Sequence, residues 1–462
     1  MKRFSSLLLA IVMLLGLTAG IGLSAYAETD SDGNLICDGY TYVLLDDGTV
    51  EITGYDGCPK SLTVPSELDG YTVTSLGYQA FYNQPELVSI ELPDTLTIIG
   101  DYAFEFCTKL ENILIPEGVT SIGEGAFYGC DALTEVNISE NVANIGDDAF
   151  HYCKGLKNIN VSPNNAVYSS ENGVLFNKDK TTIIQYPSGN ERSTYSIPNS
   201  VTTIAPRAFS YNDYLKSMDI PDGVTDMGYD AFFRCENLES VTIGKGISVI
   251  SFRAFSGCSS LKDVTIPNGV SKIDAEAFST CTSLTEIVLP ETVTYIDGFA
   301  FAFCSDLESI KMPEGLTYLS GSAFENCSSL KSLVIPAGVK EMEFYQFSGC
   351  EKLESIYIMN KDMVFGESRW PLKNATIYGY KGSTAQAYAE KNGIKFVAID
   401  EDVDDPEADN NEAGTPMKPN GDSADKKDPS KSPNTGSAKE LYAFAAVVLA
   451  GGAAAFIKKK EQ

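Results

Sequence analysis

A period of 23 residues constrains this chain more than any other feature. Residues 254–276 read AFSGCSSLKDVTIPNGVSKIDAE, and Ala277-Phe278 begins the unit again. The Ala-Phe pair stands at 80, 103, 126 and 149, returns at 208, and recurs every 23 residues to 323; Gln346-Phe347 closes the series. Four residues after the Ala, nine units carry Cys, as at Cys107 and Cys258; seven after it all eleven carry Leu, as at Leu110 and Leu261. An apolar pair two apart and a Pro follow (Val264, Ile266, Pro267), then a pair three apart (Val270, Ile273). One such unit cannot bury its own apolar positions. Stacked on its neighbours it can, so the period predicts a solenoid with one continuous core.

The pattern Leu-x-x-Φ-x-Φ-Pro-x-x-Φ-x-x-Ile-x-x-x-Ala-Phe-x-x-Cys resembles the BspA-like, or Treponema-type, leucine-rich repeat. Eleven units carry it, over residues 76–358. The resemblance implies an α/β repeat solenoid: a curved stack with a parallel sheet on the concave side, short helical or irregular turns on the convex side, and β-rich caps. It is specific for fold and says little of function.

The flanks set the compartment. Lys2 and Arg3, the apolar run 7–17 and Ala25-Tyr26-Ala27 read as a signal peptide over 1–27. Residues 28–75 read as an N-terminal cap with a first irregular repeat; Asp46-Asp47-Gly48 marks a hairpin. Between Ala149 and Ala208 the spacing exceeds one period by 36 residues, which predicts an inserted hairpin near 162–194; members of the resembling family often carry a similar one. Residues 359–399 read as a C-terminal cap, with Thr384 capping a helix over 385–392, a last strand at 394–397, and the single tryptophan, Trp370, packed on the last unit.

Residues 400–431 lose their aromatics and read as a disordered acidic tether. Then come Ser432-Pro433-Asn434-Thr435-Gly436, an apolar run over 441–457 and Lys458-Lys459-Lys460. This order resembles a Gram-positive, LPxTG-like sorting signal over 432–462, with Ser432 where Leu is usual. The resemblance implies sortase as a partner, covalent anchoring to peptidoglycan, and membrane contact only through the C-terminal segment before processing. The other reading is an uncleaved tail anchor, although 17 apolar residues are at the short limit for a transmembrane helix. Both place the repeats outside the cell.

The chemistry available is narrow. A formal charge of −29 repels nucleic acid and anionic membranes. The single histidine, His151, follows Ala149-Phe150 where other units carry Tyr128, Phe233, Ser256 or Glu325; so variable a position predicts exposure. One histidine builds neither a Ser-His-Asp triad nor a multi-histidine zinc site. No phosphate-binding glycine loop occurs. The sequence therefore predicts no catalytic residues, no metal and no cofactor. Nine of the eleven cysteines occupy one repeat position, which predicts a buried ladder of free thiols whose parallel Cβ vectors do not favour bridging. Cys37 and Cys58 lie off the repeat and are the candidates for a disulfide.

What remains is a surface. The residue between the apolar pair of each strand faces away from the core. Glu91, Leu114, Asn137, Asn160, Asp219, Thr242, Thr265, Val288, Lys311, Val334 and Tyr357 fill that position. Asn137, Asn160, Asp219, Thr242 and Thr265 form its most polar run, beside the predicted hairpin, and are the candidate binding residues for a protein or glycan. Three functional classes follow: a binding or adhesion module, a structural envelope spacer, and, third, a hydrolase.

Overall fold

The computed structural model describes residues 28–29, 34–343, 347–366 and 375–399. The segments predicted as signal peptide, tether and sorting signal, and Trp370, lie outside them. The described residues divide into two compact units, one up to residue 192 with 203–214, the other of residues 193–202 and those from 215 on. Each is built as a parallel β-solenoid, and among the described residues one α-helix occurs, Thr384–Asn392.

In the N-terminal unit, antiparallel strands Leu35–Cys37, Tyr40–Leu44 and Val50–Tyr55 form the cap, with the predicted turn between the last two. Val50–Tyr55 then pairs in parallel with Tyr71–Leu76, which opens a ladder running through Ile98–Ile99, Ser121–Ile122 and Asn144–Ile145. A second ladder holds the outward-facing rows: Ser61–Thr63, Ser89–Glu91 and Asn112–Ile113, then Glu135–Ile138 with Asn158–Val161. The C-terminal unit repeats both, as in Ser217–Asp219, Ser240–Thr242 and Asp263–Thr265, each residue opposite the one 23 positions on.

The Ala-Phe segment makes a third ladder from turns rather than strands. The N–H groups of Tyr102, Phe104 and Phe106 donate to the carbonyls of Glu124, Ala126 and Tyr128 in the next repeat, at 2.7, 2.8 and 2.8 Å. The intervening N–H groups of Ala103, Glu105 and Cys107 bond back to Gly100, Tyr102 and Phe104. Every amide of the segment is thereby satisfied, alternately between repeats and within one, as a buried backbone requires. The alternation needs a left-handed residue before the Ala and another three after it. Tyr102 and Phe106 (φ 56° and 59°), Gly125 and Gly129, and Phe299 and Phe303 all occupy these two places. A side chain there costs about 1–2 kcal/mol relative to glycine.

The core follows from this register. Phe81, Phe104, Phe127 and Phe150 stack with ring centroids 5.3–5.6 Å apart and planes within 6° of parallel. Phe232, Phe255, Phe278, Phe301 and Phe324 stack likewise in the C-terminal unit, 5.2–5.7 Å apart and within 8° of parallel. All nine are buried. The cysteines lie beside them as free thiols. Their thiols donate to carbonyls of the preceding repeat: Cys107 Sγ reaches Phe81 O at 3.1 Å, and Cys281 reaches Phe255 O at 3.2 Å.

The insert differs from its sequence reading. The hairpin of Val174–Asn177 and Thr182–Gln185 is present, and Tyr168–Glu171 adds a third strand. But a repeat restarts inside the span. Tyr186, 23 residues before Phe209, takes the phenylalanine place: its N–H donates to Ala208 O at 2.7 Å and its ring stacks 5.0 Å from Phe209. Two buried asparagines seat the extra chain. Asn165 Nδ2 donates to Ser139 O and Val142 O while its Oδ1 accepts from the N–H of Val167 and Tyr168. Asn212, standing where other units have Cys, reaches the carbonyls of Pro187, Ser188 and Asn190.

At the C-terminal end, Ser355–Ile358, Thr376–Gly379 and Phe396–Ala398 continue the parallel ladder. Ser383, not Thr384, caps the helix, its hydroxyl accepting from Gln386 N, and Gly393 ends it at φ 67°. Replacing one ring of the stack tests the register. Phe278→Ala should lower the stability of the C-terminal unit by about 3–5 kcal/mol in a denaturant titration, and a loss under about 1 kcal/mol would show that the ring is not packed as described.

Candidate ligand-binding face

Strand alternation builds the face. Along Glu135–Ile138, Val136 and Ile138 are buried while Glu135 and Asn137 are exposed. Asn160 lies opposite Asn137 in the paired strand and donates Nδ2–H to its Oδ1 at 3.1 Å. In the C-terminal unit Asp219, Thr242 and Thr265 face solvent in register. The five candidates thus fall in two rows, one in each unit. The outer edge of Asn158–Val161 is taken by the insert, with Ile159 N donating to Gly173 O at 2.9 Å and Val161 N to Ser170 Oγ at 2.9 Å. In the C-terminal unit Ser217–Asp219 pairs with Thr194–Ser196, so Ser196 precedes Asp219 in that row. Two apolar side chains interrupt the polar rows, Leu114 at 78 % exposure and Val288 at 66 %. Tyr357, predicted to face solvent, is buried because Tyr378 of the cap stacks on it at 4.5 Å.

His151 is also buried, at 4 % exposure, against the prediction of a surface position. Its ring packs between those of Tyr128 and Tyr211, and Nδ1 lies 3.2 Å from Ser210 Oγ. Asp148 Oδ1 is 3.9 Å from the same nitrogen, while its other oxygen pairs with Arg207 at 2.6 Å. Ser, His and Asp are therefore neighbours without forming a relay. A relay needs the two partners on opposite ring nitrogens and an accessible hydroxyl, and Ser210 is wholly buried. Burial pushes the imidazole down to about 4, and the Arg207 charge adds to the effect.

The ladder thiols are equally inert. Burial pushes Cys107, Cys153, Cys304 and Cys350 up to about 12, far from the thiolate form that reacts. Cys37 and Cys58 are free thiols and not a disulfide. Cys37 is half-buried, raised first by that burial and then by a hydrogen bond to Asp69, which gives the thiol a partner of its own; Cys58 is exposed. Among the described residues no three His, Cys, Asp or Glu side chains converge as metal ligands, and no helix is long and apolar enough to cross a membrane. The 441–457 run and Ser432 to Gly436 lie outside those residues.

One feature of the turns escapes the repeat pattern. On the N-terminal unit an aromatic strip runs across successive Ala-Phe segments: Tyr82 to Phe106 (6.2 Å), to Tyr128 (5.5 Å), to Tyr152 (5.9 Å), to Tyr211 (4.6 Å). The rings of Tyr102 and Phe106 lie over Gly125 and Gly129 of the next repeat, so closely that a Cβ on either glycine would stand 2.5 or 2.7 Å from ring carbon. The signal was in the sequence, as Tyr and Phe within three residues of the Ala, but these positions carry no fixed residue.

With this geometry, the chain can be set beside known proteins. Residues 74–195, 190–296 and 271–371 match the BspA type leucine rich repeat region, in 6 copies. The chain belongs to that family. Among solved structures, a leucine-rich repeat protein from Eubacterium ventriosum is 24 % identical, with a TM-score of 0.56 over 68 % of this chain and 93 % of that one. At this identity the likeness concerns the fold. A leucine rich cell surface protein from Faecalibacterium prausnitzii is 25 % identical (TM-score 0.37; 74 % of this chain, 96 % of that one). The pneumococcal vaccine antigen PcpA is 18 % identical (TM-score 0.47; 80 % and 99 %). Comparison with curated proteins gives no match.

The buried histidine of this BspA-type chain makes a pH prediction. Its folded pKa lies below the ordinary 6.5, so the neutral ring stabilises the fold above that value. That contribution is lost as pH falls from 6.5 through about 4, because the unfolded chain takes up the proton first. Thermal unfolding from pH 7 to pH 4 should show His151→Gln losing about 2 kcal/mol less than the parent chain. Parallel curves would mean that the ring is solvated.

Proposed function

We propose that this leucine-rich-repeat protein is secreted, held at the outer surface of its cell, and acts as a binding or adhesion module through the outward rows of its parallel ladder. The observation that carries the reading is the pair of outward polar rows, exposed Asn137 with half-buried Asn160 and exposed Asp219 with Thr242 and Thr265, fixed in register on a hydrogen-bonded frame. Short side chains on such a frame lose little entropy when a protein or glycan docks, so modest polar contacts add up. A hydrolytic role has less support, since the one histidine is buried with both partners on one ring nitrogen.

The test is a screen of residues 28–399 against extracellular proteins and glycans, followed by two variants, Asn137→Ala/Asn160→Ala and Asp219→Ala/Thr242→Ala/Thr265→Ala. At least one should weaken binding about tenfold or more, with Tm held to within about 2 °C, because none of these side chains is core. A ligand bound equally by both variants would move recognition off this face, and a screen without ligands would favour an envelope spacer.

The surface location rests on the signal peptide and the sorting-signal order. We propose that sortase cleaves between Thr435 and Gly436 and joins Thr435 to peptidoglycan. Mass spectrometry of wall-released protein should find the chain ending at Thr435. Recovery from membranes with 441–457 intact would establish the tail anchor instead.

A further inference from the structure

A second surface of the N-terminal unit is made of flat rings and unpaired carboxylates. Asp101, Glu124 and Asp147 hold the same place in three successive repeats, two residues before the Ala. Repeats stack about 5 Å apart, so the three carboxylates form a like-charged column. The ion pairs of this unit, Lys109–Glu86, Lys154–Asp131, Lys157–Glu191 and Arg207–Asp148 among them, leave that column and Glu105 without a cation among the described residues. Asp101 accepts the Glu124 N–H at 2.8 Å, and Glu124 accepts the Tyr102 hydroxyl, which ties the column to the aromatic strip.

The rings are held at some cost. Tyr102, Phe106, Tyr152 and Tyr211 are all left-handed, where glycine or asparagine is easier, and two of them lie on glycines that leave room for nothing else.

The C-terminal unit shows a related arrangement, with its carboxylates one residue nearer the Ala and the cation supplied from within. Arg253 also stands left-handed before its Ala. Its guanidinium lies 4.1 Å from the centroid of the Phe233 ring and within 3.5 Å of both Asp230 Oδ1 and Glu276 Oε2. A cation on a ring face, flanked by carboxylates of adjacent repeats, is what these turns hold when they supply it themselves. At the repeat of Ala103 that place is taken by Tyr102, and at Ala126 by Gly125, neither of which brings a charge.

We propose that the strip of Tyr102, Phe106 and Tyr128, with Asp101, Glu105 and Glu124 beside it, is a docking surface for an extended, Lys- and Arg-rich polypeptide segment. Its cations lie over the ring faces and against the carboxylate column, much as Arg253 lies over Phe233 and between Asp230 and Glu276 in the other unit. Charge complementarity selects this occupant: an anionic chain is repelled, and a neutral one leaves the column unrelieved. The surface is separate from the polar rows proposed above, whose variants leave it intact.

The test measures binding of a fluorescein-labelled peptide of alternating Arg and Gly, about ten residues long, at about 0.15 M salt to suppress long-range attraction. Tyr102→Gly/Phe106→Gly removes the rings at positions where glycine is conformationally favoured, so the fold should hold and Tm should not fall. Affinity should drop about tenfold or more. Glu105→Gln/Glu124→Gln should do the same while keeping the rings and the backbone, and it keeps the test open if the glycine variant unfolds. Glu314→Gln/Glu351→Gln on the C-terminal unit, with the same change of charge, should stay within about twofold. Equal losses in all three variants would reduce the attraction to net charge and overturn the proposal. So would the absence of peptide binding, or cellohexaose binding that the ring variant abolishes while peptide binding persists, which would make the strip a neutral-glycan surface.

Discussion

The fold depends on one hydrogen bond repeated down the chain, from the phenylalanine N–H of one Ala-Phe turn to the alanine carbonyl of the next, as from Phe104 to Ala126 and from Phe278 to Ala300, both at 2.8 Å. It runs between residues 22 apart and so fixes the period. One extra residue in the unit would turn the donor away and slide the ring off its neighbour. The small alanine lets the turns approach, and the ring next to it fills the interior. The left-handed residues on either side supply the curvature of the turn. Their conformational cost is offset because each places another N–H on a carbonyl of the next repeat.

Cysteine's place in the unit follows from the same turn. The Phe104 carbonyl accepts the N–H of Cys107 in its own repeat and the thiol of Cys130 in the next, at 3.1 and 3.2 Å. Alanine would leave the second lone pair empty, and serine would bring a hydroxyl that is costlier to strip of water. A thiol is small, close to apolar and still a weak donor. Where the geometry changes after the insert, Asn212 takes over with a longer reach and two hydrogens, serving the carbonyls of the lengthened turn.

This explains what the sequence discloses and what it hides. Positions tied to the inter-repeat bond (Ala, Phe, Cys, Leu) are nearly invariant across repeats, so the solenoid, its inward thiols and both caps can be read directly. Tyr186 is hidden because Gln185-Tyr186 lacks the Ala-Phe spelling and Arg192 stands at the leucine place; only its 23-residue distance from Phe209 marks it. His151 misleads because variability resembles exposure. The exposure of the position two after the Ala is set repeat by repeat: Ser210, Ser256, Ser279 and Ala302 are buried there as His151 is, whereas Tyr82 is exposed. Tyr357 turns on a single ring, Tyr378, across a gap in the repeat pattern. The candidate residues themselves were legible as outward positions, but not their division into two rows, because the restarted repeat with Thr194–Ser196 carries no Ala-Phe signal.

The same accounting of backbone groups separates the two exposed surfaces. On the strand rows the amides pair in ladders within each sheet and side chains satisfy one another, as Asn160 does Asn137 and Ser89 does Ser61. Such a face is already complete in water, and a ligand gains there by matching many weak partners at fixed spacing. On the turns the backbone is equally satisfied, but a left-handed position accepts any side chain that the next repeat leaves room for. Gly125 and Gly129 leave room for the rings of Tyr102 and Phe106, whereas on the other unit Gly257 leaves it for the stem of Arg234. A glycine in one repeat thus decides what the preceding repeat can display. Because that choice disturbs neither the Phe-to-Ala bond nor the ring stack, the turn surface can change its chemistry from repeat to repeat while the period stays at 23.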